Sequence, residues 1–172
     1  NSLGHSHPDL IKALSEQSKK FWHLSNYLSN EPAINLAKKL TDLTFAENVF
    51  LSNSGTEANE AAIKIARKFH SSKNNQRNEI VSFQNSFHGR SLLNISLGSS
   101  EMHRSGFEPL MPGIKHGEFN NVSNLGSLIT KKTAAVIVEP VQGEAGVYTA
   151  STEFLKELRE ECTKQGALLI ID

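Results

Sequence analysis

A turn of small polar residues, Ser54-Gly55-Thr56, joins the short apolar run 49–51 to a helical pattern and could bind an anion. The first turn of a helix leaves backbone N–H groups without intrahelical partners, and its dipole favours negative charge. Because these side chains are small, a phosphate could approach the amides closely. The alternative is an ordinary helix start, since Ser54 and Glu57 have the S-x-x-E spacing of a capping box. Taken alone, that spacing favours the ordinary helix start.

Two further loops carry side chains suited to chemistry, and each follows an apolar run that predicts a strand. The loop Phe87-His88-Gly89-Arg90 follows residues 80–83, and a loop with Glu139 and Glu144 follows residues 134–138. Ligands of open α/β sheets collect beyond the carboxyl ends of the strands. There a phenylalanine can stack on a flat ring, and an arginine can bind a carboxylate through two hydrogen bonds. Taken singly, such a phenylalanine is usually in the core and such an arginine on the surface.

A third candidate, Asp172, follows the apolar run 167–171, where a buried charge needs a partner. Carboxylates beyond buried strands can serve in acid–base chemistry or in ion pairs, and the alternative is ordinary loop polarity. His5 and His7 could be metal ligands, but no nearby cysteine completes a set, and surface or hydrogen-bonded histidines are the alternative. We therefore predict no metal site.

The elements that position these groups follow from apolar periodicity. The predicted strands are 49–51, 80–83, 134–138 and 167–171, and the predicted helices begin near Pro8, span 32–44, follow Thr56, lie within 124–132 and span 152–165. Residues 98–117 are predicted to be mainly loop. In the helix after Thr56, the side chains expected to face the core are Ala58, Ala62, Ile65, Ala66 and Phe69. Because strands and helices alternate from residue 49 onward, we predict a mostly parallel sheet with right-handed crossovers.

Four strings of the sequence together resemble one enzyme family. They are SNSGTEANEAA at 52–62, FHGR at 87–90, EPVQGEAG at 139–146 and LLIID at 168–172. These strings are similar to those of the class III (subgroup II) pyridoxal-phosphate aminotransferases, the family of ornithine, acetylornithine and 4-aminobutyrate aminotransferases. The resemblance covers nearly the whole chain.

The resemblance implies an α/β fold, namely part of the large domain of a fold type I PLP-dependent transferase. That part would have a mostly parallel sheet with flanking helices, preceded by an N-terminal helical segment. We expect the helical segment at 1–45 and the large domain, incomplete at its C-terminus, at 46–172. The chain is therefore expected to be an internal fragment of a longer protein.

The resemblance also implies a site for the cofactor pyridoxal 5′-phosphate (PLP). The turn Ser54-Gly55-Thr56 would hold the phosphate, Phe87 would stack on the ring, and His88 would belong to the same site. Asp172 would pair with the protonated pyridine nitrogen, which strengthens the cofactor as an electron sink. The lysine that forms the Schiff base is expected downstream of Asp172, outside the chain, so the fragment alone should be inactive.

For the substrate, the resemblance implies that Arg90 binds a carboxylate group. It also implies that Glu144 pairs with an arginine outside the chain and helps to gate substrate carboxylates. The segments 21–26, 87–90 and 107–110 are most similar to acetylornithine aminotransferases. We therefore expect an N2-acetylornithine:2-oxoglutarate 5-aminotransferase of arginine biosynthesis, with an amino donor and 2-oxoglutarate as its small-molecule partners. The alternatives are ornithine or 4-aminobutyrate aminotransferase and, in another class, a non-catalytic phosphate- or cofactor-binding module of the same fold.

Charge and composition limit the other partners. The 172 residues carry 18 Lys and Arg against 18 Asp and Glu, so we expect neither nucleic acid nor a membrane as partner. Cys162 is the single cysteine, so no intrachain disulfide can form, which fits a reducing compartment.

Assembly and location are expected from the resemblance alone. Residues 21–27 correspond to a segment near the dimer interface and active-site entrance, which implies a homodimer, although local core packing is an equal alternative for these aromatic side chains. Residues 84–87 and 117–120 are similar to fungal members, which implies the mitochondrial matrix, with the cytoplasm as alternative.

Overall fold

The protein is seen in a computed structural model that describes residues 2–25 and 27–172. The chain forms two compact units, Asn1–Leu51 and Ser52–Asp172. The first unit contains helices α1 (Pro8–Ser18) and α2 (Glu31–Leu43), neither of which has a buried residue. The predicted division into domains 1–45 and 46–172 concerns the whole protein and stays a prediction.

The second unit alternates helices and strands. Its elements are α3 (Gly55–Ser71), β1 (Glu79–Phe83), α4 (Leu92–Leu97), α5 (Glu101–Arg104), β2 (Ile114–Gly117), α6 (Leu125–Leu128), β3 (Thr133–Val138), β4 (Val141–Gln142), β5 (Tyr148–Thr149), α7 (Thr152–Gln165) and β6 (Leu168–Ile171). Within the described ranges, none of the helices is both long and apolar enough to cross a membrane. Gly166 ends α7 in the left-handed conformation, with φ of 73°, which glycine adopts at little cost.

Four strands form a parallel sheet in the order β2-β1-β3-β6. Every residue of the central strand β3 is buried, which fits its continuous apolar sequence and confirms the predicted α/β fold with a mostly parallel sheet. Side chains alternate between two cores, one on each face. One core contains Val81, Phe83, Val136, Val138, Phe154, Leu158 and Cys162, and the other contains Ile63, Ala66, Ile80, Leu93, Leu97, Ala135 and Ile137.

The buried face of α3 differs from the predicted one. Asn59 and His70 are buried on this face together with Ile63 and Ala66, whereas Ile65 is 59% exposed. The prediction is right for Ala66 and wrong for Ala58, Ile65 and Phe69, because it placed only apolar side chains in the core. Both polar side chains have hydrogen-bond partners inside the unit, which removes most of the cost of burying them.

Three local predictions also need correction. Residues 49–51 form no strand, because a strand needs a hydrogen-bonded neighbour and none of the described strands pairs with this run. In the segment 98–117, predicted as loop, the structure has α5 and the edge strand β2, whose polar Lys115 and His116 hide the apolar pattern. The loop after β3 contains the short antiparallel pair β4–β5.

Candidate active site

The candidate site lies where three strands end. Strands β1, β3 and β6 are parallel, so their last residues, Phe83, Val138 and Ile171, lie at the same edge of the sheet. The Asp172 amide donates a hydrogen bond to the Val138 carbonyl oxygen at 3.0 Å, which extends the ladder and places Asp172 beside Glu139. Loops that are far apart in sequence therefore meet at this edge.

The amino end of α3 presents free backbone donors to this region. The first intrahelical bond runs from the Ala58 amide to the Ser54 carbonyl oxygen at 3.0 Å, so the amides of Gly55 and Thr56 precede it. Ser54 Oγ accepts a hydrogen bond from the Glu57 amide at 3.2 Å, and Glu57 Oε2 accepts one from the Asn53 amide at 2.7 Å. Ser54 thus caps the helix, as the S-x-x-E spacing predicts, and the cap leaves two donors for an anion.

The loop after β1 packs directly against that helix end. Gly89 has φ of 122°, and a Cβ atom there would overlap the Thr56 hydroxyl. The Asn94 side-chain amide donates a hydrogen bond to the Thr56 carbonyl oxygen at 2.9 Å. Ser91 Oγ donates to Glu60 Oε1 at 2.5 Å. Only glycine at position 89 lets the loop lie this close to the helix.

The Asp172 carboxylate is held by two donors. His88 Nδ1 lies 2.7 Å from Asp172 Oδ2, and the Asn59 side-chain amide donates to the same oxygen at 2.9 Å. Burial raises the pKa of Asp172, but the hydrogen bonds from His88 and Asn59, together with the His88 charge, outweigh it, so the pKa lies below its usual range. Because an ionised carboxylate only accepts hydrogen bonds, the shared proton is on His88 Nδ1.

A second carboxylate, Glu139, orients the aromatic loop. Glu139 Oε2 accepts a hydrogen bond from the Phe87 amide at 2.9 Å. Burial raises the pKa of Glu139, the Phe87 amide and His88 lower it in part, and the charges of Asp172 and Glu144 raise it further, so the net direction is upward. The sequence predicts for this carboxylate only a general acid–base or ion-pair role, from its position directly after a fully apolar strand.

One cavity of about 280 Å³ brings most of the predicted residues together. Its lining consists of Ser54, Gly55, Thr56, Asn59, Phe87, His88, Gly89 and Asp172. Six of these were predicted as cofactor-binding residues. Asn59 and Gly89 were not, although a polar residue at helical spacing from Ile63 and Ala66 was a signal for Asn59.

The two predicted substrate residues lie outside this cavity. Glu144 is exposed and lines a neighbouring cavity of about 310 Å³, which Phe87 also lines. Arg90 is exposed too, and its guanidinium carbon lies 5.5 Å from the centroid of the Phe87 ring, within cation–π range. Phe87 therefore connects both predicted residues to the main cavity. It lines the main cavity, it lines the neighbouring cavity together with Glu144, and it contacts Arg90.

The chemistry of the main cavity fits a ligand with a phosphate and a flat basic ring. The amides of Gly55 and Thr56 can bind an anion, and no described atom lies within 4 Å of the position that a Cβ of Gly55 would take. Phe87 offers a ring face for stacking, and the ionised Asp172 can pair with a protonated ring nitrogen. These are the functional groups that PLP requires.

A larger depression of about 720 Å³ lies on the other face of α3. Lys64, Ile65, Lys68 and Phe69 are among the residues that line it, and Lys73 Nζ stands 3.8 Å above the Phe69 ring. Among the described residues that line it there is no carboxylate and none from a strand-end loop, so it lacks the chemistry of the smaller cavity. Size alone therefore does not identify the site.

Comparisons with known proteins show the family of the chain. The family described as aminotransferase class-III matches residues 1–172. The succinylornithine transaminase of Salmonella typhimurium (strain LT2) is 53% identical over 173 residues, which cover 100% of this chain and 42% of that protein.

Solved structures show the same relationship. The N-acetylornithine aminotransferase of Stenotrophomonas maltophilia K279a is 40% identical, with a TM-score of 0.81 over 99% of this chain and 42% of its own. An ornithine aminotransferase of Toxoplasma gondii, whose active site is partially occupied by PLP, is 30% identical, with a TM-score of 0.92 over 99% and 42%. The chain thus spans about two fifths of the length of these relatives. The family match, the 53% identity and the shared fold confirm the predicted resemblance, and the chain belongs to the class-III aminotransferases.

Proposed function

We propose that the full-length protein is a PLP-dependent transaminase and that this chain supplies the main part of its cofactor site. The observation that carries the proposal is the single cavity in which the amino end of α3, the Phe87 ring and the ionised Asp172 carboxylate meet. The family that the chain belongs to uses PLP. When bound, PLP stabilises the negative charge that develops when an amino donor loses a proton.

Each residue of the chain has a defined task in this proposal. The Gly55 and Thr56 amides and the Ser54 and Thr56 hydroxyls bind the phosphate, helped by the dipole of the 17-residue helix α3. Phe87 packs against the cofactor ring, and the Glu139 carboxylate holds the Phe87 backbone in place. Asp172 keeps the ring nitrogen protonated, because its pKa is low enough for it to stay ionised near neutral pH.

Covalent attachment of the cofactor and binding of the substrate need groups that lie outside this cavity. The lysine that binds the cofactor covalently lies outside the chain in our proposal. Arg90 binds a substrate carboxylate, and Glu144 pairs with an arginine outside the chain and helps to gate substrate carboxylates. Both side chains are exposed. A guanidinium binds a carboxylate through two parallel hydrogen bonds, which would orient the donor at the ring.

For the amino donor we propose an N-acylated ornithine, with 2-oxoglutarate as the acceptor. The specific candidate is N2-acetylornithine, as in arginine biosynthesis, and the similarity to an N-acetylornithine aminotransferase supports it. A second candidate is N-succinylornithine, because the relative named for that reaction is 53% identical. Both donors carry the same amine and differ in the acyl group.

The test is a comparison of four donors with the PLP-loaded full-length protein: N2-acetylornithine, N-succinylornithine, ornithine and 4-aminobutyrate, each with 2-oxoglutarate. We expect the highest kcat/KM for one of the two acylated donors. A preference for ornithine or 4-aminobutyrate would contradict the donor assignment. Binding of PLP without transfer from any of the four would favour a non-catalytic binding module.

We also propose that the protein is a homodimer, with residues 21–27 contributing to the interface. Trp22 is 84% exposed and Tyr27 is 99% exposed, so these large side chains find no local core. Asn26 of this segment lies outside the described residues. Light scattering of the full-length protein should give the mass of two chains, and an active monomer would contradict the proposal.

A further inference from the structure

Asn59 is the buried residue that links the two ends of the candidate cofactor site. It is 5% exposed, and it lies one helical turn after Gly55 on the same face of α3. A side-chain amide has two N–H donors. Asn59 donates both, one to the His88 carbonyl oxygen at 2.9 Å and one to Asp172 Oδ2 at 2.9 Å.

These contacts leave the Asp172 carboxylate with two unequal oxygens. Asn59 and His88 both donate to Oδ2, and no described residue donates to Oδ1. The Asp172 side chain is 28% exposed and lines the main cavity. Oδ1 is therefore the oxygen available to a ring nitrogen, while Oδ2 fixes the plane of the carboxylate.

We propose that Asn59 is a positioning residue that keeps Asp172 ionised and oriented toward the ring nitrogen of PLP. This inference deepens the proposed function and depends on it. The helix rises about 1.5 Å per residue, so four residues separate the phosphate-binding amides from Asn59 by roughly 6 Å along the axis. One rigid element thus sets the position of both the phosphate and the ring-nitrogen partner.

A neutral amide suits this role better than a charged side chain would. Lysine or arginine at position 59 would neutralise the Asp172 charge that the ring nitrogen needs, and aspartate would add a second negative charge beside Asp172 and Glu139. An amide donates a hydrogen bond that lowers the pKa of Asp172 and leaves its net charge intact. The side chain of Asn59 therefore stabilises the ionised carboxylate without competing for it.

The test compares two ligands of the full-length apoprotein: PLP and its 1-deaza analogue, in which a C–H replaces the ring nitrogen. Both have the same phosphate and ring shape, but only PLP can pair with Asp172. For Asn59→Leu we expect the Kd for PLP to rise about tenfold to hundredfold, as for loss of a hydrogen bond to a charged group. The Kd for the analogue should change by no more than about twofold.

A matched control is His70→Phe at the other end of the same helix face. His70 Nε2 lies 3.0 Å from the Ala134 carbonyl oxygen, so this variant also loses a buried hydrogen bond of α3. It should leave the ratio of the two Kd values at the wild-type level. In an Asp172→Asn background, Asn59→Leu should not change the ratio further, because the charge on which it acts is gone.

Three outcomes would overturn the inference. If Asn59→Leu raises the Kd for PLP and the Kd for the analogue equally, Asn59 only supports the fold. The same conclusion follows if His70→Phe shifts the ratio of the two Kd values as much as Asn59→Leu does. No change for either ligand would show that Asn59 has no role. Asn59→Ser keeps one donor, so it should lie between wild type and Asn59→Leu, and it replaces the leucine variant if that one does not fold. If the wild-type protein itself fails to bind PLP, the proposed function fails instead.

Discussion

Gly89 lies so close to Thr56 that a single added carbon at position 89 would overlap the threonine hydroxyl. The contact joins the loop after β1 to the amino end of α3, and the φ of 122° at Gly89 is itself a conformation that other residues rarely adopt. The loop therefore depends on glycine for its backbone angle and for its close approach. The phosphate-binding turn and the ring-stacking residue Phe87 are held in register through this contact.

Replacing Gly89 should weaken PLP binding strongly, although Gly89→Ala adds only one methyl group. Gly89→Ala adds backbone strain of about 1–3 kcal/mol and pushes on Thr56, so we expect the Kd for PLP to rise at least tenfold. Fluorescence titration of the full-length apoprotein measures this. Gly126→Ala in α6 is the matched control, because a Cβ there meets no described atom within 4 Å, and it should bind PLP normally. Normal binding by Gly89→Ala would remove the contact from the site.

Two serine caps separate helix stability from phosphate binding. Ser54 caps α3 and Ser151 caps α7, with Oγ accepting from the amide three residues on, at 3.2 and 3.1 Å. Each serine-to-alanine change should cost about 1 kcal/mol of stability. Only Ser54→Ala should also weaken PLP, by about tenfold, because it alone removes a hydroxyl from the cavity. If the two variants bind PLP equally, Ser54 is only a cap.

The raised pKa of Glu139 predicts a pH-dependent change in stability. The folded protein binds a proton at Glu139 more readily than the unfolded chain does, so stability falls as the pH rises through this pKa. Glu139→Gln keeps an acceptor for the Phe87 amide but carries no charge. We expect its melting temperature to exceed that of wild type near neutral pH, by on the order of 1–2 °C, and to match it in acid.

Asp172 should show the opposite sign in the same pH series. Its pKa is lowered on folding, so its contribution is present above the usual aspartate range and is lost as the pH falls through the folded pKa. Asp172→Asn should therefore be less stable than wild type near neutral pH, and the difference should vanish in strong acid. Differences of the same sign for both variants would contradict the two pKa directions.

Arg90 is expected to act on the substrate and not on the cofactor. Arg90→Ala should lower kcat/KM for the preferred donor by about a hundredfold, as for loss of a bidentate ion pair, and leave the Kd for PLP nearly unchanged. Arg90→Lys should recover only part of the activity, because lysine cannot form the paired geometry. Arg159→Ala, at an exposed arginine of α7, is the control and should be fully active. Unchanged kcat/KM in Arg90→Ala would exclude Arg90 from the site.

Local patterns in the sequence predict much of the core, and the resemblance of short motifs to one family predicts the candidate cofactor site. Continuous apolar runs predict the central strands, and short motifs at strand ends predict the loops that line the cavity, because both depend on residues close together in the chain. The partners of Asp172 were beyond such reasoning. Asn59 lies 113 residues before Asp172, and His88 lies 84 residues before it.

These contacts could not be predicted because local sequence patterns do not give the order of the strands in the sheet. Asn59 contacts Asp172 only because β6 pairs with β3, and β3 with β1, so that the end of β6 lies beside the loop of His88. No local periodicity contains that order. For the same reason the polar edge strand β2 was missed, since only its pairing with β1 makes it a strand. The predicted pairing of Glu144 with an arginine outside the chain likewise rests on the family resemblance and on no local pattern.

The last prediction separates the electronic role of Asp172 from cofactor attachment. The phosphate is bound by the amino end of α3, so Asp172→Asn should still bind PLP, with weaker retention. An amide carries no charge to hold the ring nitrogen protonated, so proton removal from the donor should slow greatly. A barrier increase of about 4 kcal/mol corresponds to roughly a thousandfold loss of rate.

The measurement is single-turnover conversion of the bound cofactor from the pyridoxal to the pyridoxamine form with saturating donor. Asn59→Leu should slow it less, since it removes a hydrogen bond to Asp172 and leaves the carboxylate itself in place. Conversion by Asp172→Asn at the wild-type rate would mean that the carboxylate only ends a strand, and the proposed mechanism would be wrong.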